Sequence, residues 1–225
     1  VNVVLLAVGA PPQSYAIALT EAGAAVAPFA VPTDPARIDL DAVLDGLDGR
    51  RLVIAANTAD LARVLRRLMR RDQLTTVETA VLALEPSSLL ARFGLGTDVS
   101  AAARIAVDGT CSVVGVIKDD SGNLVVDHAM LRPWDGSRLW VRAYVDDTRL
   151  CDGEITALRV ERGSPGQLTA VVTWGRLRRT RRIDGRALQL ACDPAAISSD
   201  GSARDRSRQK RIWWNEPEQW RLAIA

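Results

Sequence analysis

Three polar side chains, Asn57, Thr58 and Asp60, stand between an apolar stretch and an amphipathic one in VIAANTADLARVL, residues 53–65. A strand running through a short polar turn into a helix leaves the first N–H groups of the helix without partners, and such an end holds anions, phosphate above all. A second turn of this kind carries Ser87 and Ser88 in LALEPSSLLARFGLG, residues 82–96. Asn57, Thr58, Asp60, Ser87 and Ser88 are therefore the candidate phosphate-contacting positions. The same residue types cap a helix with no ligand at all. Capping is the reading the turns favour: a phosphate turn uses glycines, whose backbone reaches the ligand at positive φ with no Cβ in the way, and Ala56 to Asp60 contains none.

Other chemistry-bearing residues are scattered. Cys111, Cys151 and Cys192 are widely spaced, no CxxC occurs, and His128 is the single histidine. That pattern predicts neither a zinc site nor a disulfide framework, and it suits small core residues in a reducing cytoplasm. Asp119-Asp120 and Asp146-Asp147 have the form of metal-binding pairs but also of ordinary turn acids. Trp213, Trp214 and Trp220 read as packing residues, or, beside the Arg204–Arg211 run, as part of a partner or lipid surface. No residue is assigned as catalytic or as a metal ligand.

Charge is balanced overall, with 29 basic and 27 acidic side chains in 225 residues, but it is unevenly spread. Arg176–Arg211 is strongly basic, so an anionic partner, whether a protein or a membrane surface, belongs there. The preference for arginine over lysine follows genome composition, of the actinobacterial kind. The longest apolar run, Val3 to Ala10, is too short to span a bilayer and lacks the flanks of a secretory signal, so it is read as a first strand and the chain as cytoplasmic without a transmembrane segment.

The elements that position the turns fall into two halves. In residues 1–109, strands (VNVVLLAVGA, RRLVIAA, VETAVLAL) alternate with helical segments. In the helix after Asp60, Leu61, Val64, Leu65, Leu68 and Met69 form an apolar stripe opposite Arg63, Arg66, Arg67, Arg70 and Arg71, a solvated face. Asp98 caps VSAAARIAVDG, which Gly109 ends. Such alternation predicts a parallel sheet with covered faces. From residue 110 to 211, short strands follow one another between Gly, Pro, Asp and Ser, beginning with CSVVGVIK and LVVDHAMLRP around the turn Asp119–Asn123; this is an antiparallel β lobe. GRLRRTRRI is expected to be a strand with Leu177 and Ile183 buried. Because Arg179 and Arg181 share that face, the strand should lie at a sheet edge or carry a bulge.

An α/β lobe followed by a β lobe resembles the diacylglycerol kinase catalytic-domain family, whose layout is shared with the NAD kinases. Residues 53–65 occupy the place of a strand, a Gly-Gly-Asp-Gly-Thr turn and a Leu-rich helix. LALEPSSLLARFGLG lies where the family has Leu-Pro-Leu-Gly-Thr-Gly-Asn-Asp-Phe-Ala-Arg-x-Leu-Gly, with Leu82, Leu84, Leu90-Ala91-Arg92 and Gly94 aligned. GRALQLACDPAAISSDG is similar to the final β segment with its Asp-Gly turn, and residues 212–225 are free to return to the first lobe, as the resemblance suggests. The scaffold matches and the functional motifs depart. The phosphate turn after the first strand is Gly9-Ala10-Pro11-Pro12-Gln13. Glu85-Pro86-Ser87-Ser88-Leu89 replaces Gly-Thr-Gly-Asn-Asp. The acidic stretch that supplies a base in the family has no counterpart beyond Glu161.

Phosphoryl transfer depends on placed backbone donors and a metal. Pro86 removes a donor, and Glu85 sets a negative charge where phosphates would lie. The resemblance with these losses implies a lipid-kinase fold with a degenerate nucleotide site, a pseudokinase acting through binding with no cofactor. Two alternatives stay open: an active lipid kinase using ATP and Mg through remodelled turns, and a nucleic-acid-associated module using Arg176–Arg211. A homo-oligomer is compatible with each.

Overall fold

The structure is a computed structural model. It describes residues 1–134, 138–175, 179–204 and 210–225, and side chains except those at 88, 89, 203, 204 and 210–218. Arg176, Leu177, Arg178, Arg206 and Arg208, with the side chains of Ser88, Trp213 and Trp214, therefore lie outside the description.

Two compact units are present, Val1–Val114 with Glu218–Ala225, and Gly115–Pro217. In the first, β1 (Asn2–Val8), β2 (Ala25–Val31), β3 (Arg51–Ala56) and β4 (Thr79–Ala83) make a parallel sheet in the order β2-β1-β3-β4. The end of the last strand, β16 (Lys210–Ile224), joins it in parallel, with Leu222 opposite Thr79. β1, β3 and β4 are almost wholly buried. Near-continuous apolar runs are what strands covered on both faces require. Val3, Leu5, Ala7, Val53, Ala55, Ala80 and Leu82 meet α1 (Gln13–Glu21) and α5 (Val99–Asp108) through Leu19, Ala102, Ala103 and Ala106. The alternate residues Val4, Leu6, Leu52 and Ile54 are buried on the opposite face. α2 (Arg37–Leu44) and α3 (Thr58–Arg70) pack on each other, and α3 packs on β3. In the α3 stripe Leu61, Val64, Leu65 and Leu68 are fully buried, as their period predicts, while Met69 is only half-buried; on the opposite face Arg67 and Arg71 are not simply solvated but pair with Asp41 of α2.

β2 was not evident in the sequence. It is an edge strand, half exposed, with Pro28 inside it. A proline is tolerated only where one side of a strand needs no donor, and its presence hides the strand pattern.

The second unit is antiparallel. β7 (His128–Pro133), β10 (Ala157–Arg162), β11 (Leu168–Trp174), β12 (Arg179–Gly185), β14 (Ala195–Ser199) and β15 (Ser202–Arg204) form one sheet, ordered β12-β11-β10-β7-β14-β15. β8 (Leu139–Val145), β9 (Thr148–Ile155), β13 (Ala187–Cys192) and the first part of β16 form another, ordered β16-β13-β8-β9. Leu131, Leu158, Val160, Ala170 and Val172 of the first share one buried cluster with Val141, Ala143, Leu150, Leu188 and Leu190 of the second.

LVVDHAMLRP, expected as one strand, is two. β5 (Thr110–Asp119) pairs with β6 (Leu124–Val125), and the chain then crosses to the other sheet as β7. The Asp200 carboxylate holds the crossing by accepting the N–H groups of Val126 at 2.9 Å, Asp127 at 2.7 Å and His128 at 3.1 Å. Three backbone donors freed between two ladders would otherwise be left buried without partners. Burial pushes the Asp200 carboxyl up to about 6, against those three hydrogen bonds.

β12 lies at a sheet edge, in line with the arginines of its sequence, but Ile183 is only partly buried against the core. At an edge, one flank of an apolar side chain stays open.

Candidate functional site

In an open α/β sheet, ligands sit at the carboxyl ends of the strands, where loops lead into helices. The loops after β1, β3 and β4 meet that description, and their strands are neighbours.

The turn after β3 is closed on itself. Asn57 has extended backbone and is the N-cap of α3; its Oδ1 accepts the Asp60 N–H at 2.8 Å. Asp60, with no exposed surface, accepts the Asn57 Nδ2–H at 3.0 Å, the Arg63 guanidinium at 2.8 Å and the Asp34 N–H at 3.1 Å. Arg63 also pairs with the Asp34 carboxylate at 2.7 Å. A buried carboxylate so surrounded is satisfied within the protein. The Thr58 N–H, at the first position of α3, donates to Glu85 Oε1 at 3.0 Å. Glu85 comes from the loop after β4, so that loop supplies the anion at the α3 N-terminus.

Ser87 is buried and its Oγ accepts the Leu90 N–H at 3.3 Å, while its carbonyl accepts the Ala91 N–H, so it caps the single turn α4 (Ser88–Ala91). Pro86 offers no N–H. After β1, Gly9 stands at φ +67 and donates to the Val31 carbonyl. Any Cβ there would come within 2.3 Å of Thr33 Oγ1, which explains this glycine without a ligand. The N-cap of α1 is Pro12, with no side-chain cap.

The structure thus brings Asn57, Thr58 and Asp60 together with Glu85, and keeps Ser87 engaged with its own helix. Glu85 and Asp34 are the participants the candidate set omitted. A glutamate two residues beyond a strand end, facing a glycine-free helix start, was the available signal for Glu85.

The remaining candidates have structural partners. Asp119 is buried and accepts the N–H groups of Ser121 and Asn123, both at 2.9 Å. Asp146 accepts those of Arg186 and Ala187. Glu161 pairs with Arg159 at 3.0 Å, and His128 Nδ1 lies 3.2 Å from Asp127. Burial pushes the Cys111 thiol up, and that of Cys151 up to about 11, so neither is a ready nucleophile. Among the described residues no three of His, Cys, Asp and Glu stand close enough to hold a metal ion. None of the described helices is long and apolar enough to cross a membrane.

No protein-family model matches the sequence, and no curated protein does. Solved structures match over nearly the whole chain. A diacylglycerol kinase from Bacillus anthracis str. Sterne superposes with a TM-score of 0.74 at 9% identity, over 100% of this chain and 97% of that one. An NAD kinase from Archaeoglobus fulgidus in complex with ATP gives 0.66 at 9% identity, over 98% and 93%. The yeast NADH kinase complexed with NADH gives 0.60 at 11%, over 100% and 83%. A parallel α/β unit closed by the returning C-terminal strand and an antiparallel β unit inserted before it give this chain the two-domain fold of the diacylglycerol kinases and NAD kinases.

Proposed function

We propose that this chain is a diacylglycerol kinase-like protein that does not transfer phosphate and acts by binding. The observation that carries the reading is the Glu85 carboxylate on the Thr58 N–H. An incoming phosphate would have to displace one anion from the helix start and settle near another, Asp60, while finding few free donors. Like charges held close together oppose binding. The residues present do not fit a nucleotide phosphate in the manner the fold implies, and no phosphoryl-transfer step is assigned to them. The Archaeoglobus fulgidus NAD kinase with ATP bound makes nucleotide binding the natural comparison.

Calorimetric titration of the full chain with ATP and magnesium tests the reading. No heat of binding is expected at millimolar nucleotide. Micromolar affinity that falls on Asn57→Ala or Thr58→Ala substitution overturns it, and would make the turn a remodelled working site of an active lipid kinase.

A further inference from the structure

Among the described residues, several sheet edges carry a backbone device against pairing with another chain. β2 contains Pro28. β9 is offset from β8 by an irregularity between Ala143 and Tyr144. β6 and β15 are two and three residues long. Short strands, bulges, prolines and charged side chains are the usual safeguards of an exposed edge. β12 has only the last of these. Its seven residues pair with β11 in unbroken register from Arg179 opposite Trp174 to Gly185 opposite Leu168, and among the described residues no strand lies on its other side.

What β12 carries instead is mostly positive charge, three arginines against Asp184. Arg179, Thr180, Arg181 and Arg182 are all exposed. Arg182 is held by the Thr169 hydroxyl at 3.1 Å and Asp184 at 3.4 Å. The side chains of Arg179 and Arg181 have no hydrogen bond or ion pair among the described residues. A free row of N–H and C=O groups beside unpaired guanidinium groups is built to take an extended chain of opposite charge.

We propose that β12 is a docking edge for an extended acidic segment of another protein, which adds as a further strand and sets its carboxylates against Arg179 and Arg181. A second copy of β12 is disfavoured, because it would oppose arginine to arginine across the new ladder. An anionic membrane would meet the charge but has no strand to offer the open edge. The partner supplies what the binding reading above leaves unnamed, and the two are tested apart: ATP affinity says nothing about β12, and an edge that takes no peptide leaves the loops after β3 and β4 as described.

The test uses the full chain and a blocked peptide of about eight alternating Glu and Thr residues, long enough to span the edge. Its controls are a Lys-Thr peptide, Glu-Thr peptides N-methylated at alternate residues in either phase, and phosphatidylglycerol vesicles. The Glu-Thr peptide is expected to bind, to slow amide exchange across residues 179–185, and to bind more weakly when N-methylated in the phase that faces β12. Arg179→Glu with Arg181→Glu should weaken it by roughly tenfold or more and favour the Lys-Thr peptide. Both positions are exposed, and circular dichroism checks that the double variant folds. Absence of binding, protection elsewhere, or indifference to N-methylation overturns the proposal. Vesicle binding lost in the double variant, without peptide binding, assigns the surface to a membrane instead.

Discussion

The Glu85 carboxylate accepts the Thr58 N–H at 3.0 Å, tying together two loops 27 residues apart in sequence. An anion is therefore supplied to the α3 N-terminus from within the chain. A carboxylate at a helix start contributes both a hydrogen bond and a favourable interaction with the helix dipole. Glu85→Ala should lower stability by about 1 kcal/mol. Inorganic sulfate should recover part of that loss in the variant and have little effect on the parent chain. Urea unfolding with and without sulfate checks this; an equal sulfate response in both proteins would show that Glu85 does not occupy an anion position.

Asp60 and Asn57 act as one unit. Asn57→Ala removes the cap and one partner of the buried carboxylate, with an expected cost of about 1–2 kcal/mol. Asp60→Asn removes one carboxylate partner of Arg63 and turns an acceptor into a donor facing other donors; breaking a pair at a fully buried acid should cost about 3 kcal/mol. The double variant should cost less than the sum, because both substitutions disturb the Asn57 Nδ2–Asp60 Oδ2 hydrogen bond. Additive losses in urea unfolding would mean that the two side chains do not work together.

The parallel sheet was legible because β1, β3 and β4 are uninterrupted apolar runs, and α3 because its stripe keeps the helical period over three turns. β2 was obscured by Pro28. The break between β6 and β7 was obscured because Asp200, more than 70 residues away in sequence, determines it. Asn57 as a cap follows from local chemistry. Glu85 as the anion on Thr58 does not: residue types in one loop do not fix the distance to another. The loss of glycines pointed to a changed turn, and only the tertiary placement of β3 beside β4 supplies what fills it.

Asp41 ties α2 to the end of α3. It accepts Arg67 Nε at 2.6 Å and a second Arg67 nitrogen at 2.8 Å, and also bonds Arg71 at 2.9 Å and Arg37 at 3.3 Å. Arg67 is the main reason its carboxyl falls to about 2 from an ordinary 3.8. A carboxyl whose pKa is depressed on folding contributes stability that is present above the unfolded value and lost as pH falls through the folded one. The stability gap between the parent chain and Asp41→Asn should thus be constant near neutral pH and shrink between 3.8 and about 2. Carboxyl-carbon NMR titration gives the direct check: a midpoint near 4 would show that Arg67 does not hold the group.

Trp220 fixes the returning C-terminal strand to β4. It is fully buried, and its indole N–H donates to Thr79 Oγ1, which in turn donates to the Arg221 carbonyl at 2.7 Å. Beside this pair Arg221 bonds Glu78 at 2.7 Å, and Glu78 bonds Arg51 of β3 at 3.1 Å, so three neighbouring strands are cross-linked by polar groups. Trp220→Phe removes the donor and part of the packed volume, for about 2–3 kcal/mol. Thr79→Val is nearly isosteric but strands a buried indole N–H, for about 1–3 kcal/mol. Once the indole donor is gone, losing the hydroxyl no longer strands it. The double variant should therefore fall short of the sum by about 1 kcal/mol, the coupling of one buried hydrogen bond. A four-member cycle in urea at neutral pH measures that coupling, and a value of zero would mean that packing alone holds β16 on β4.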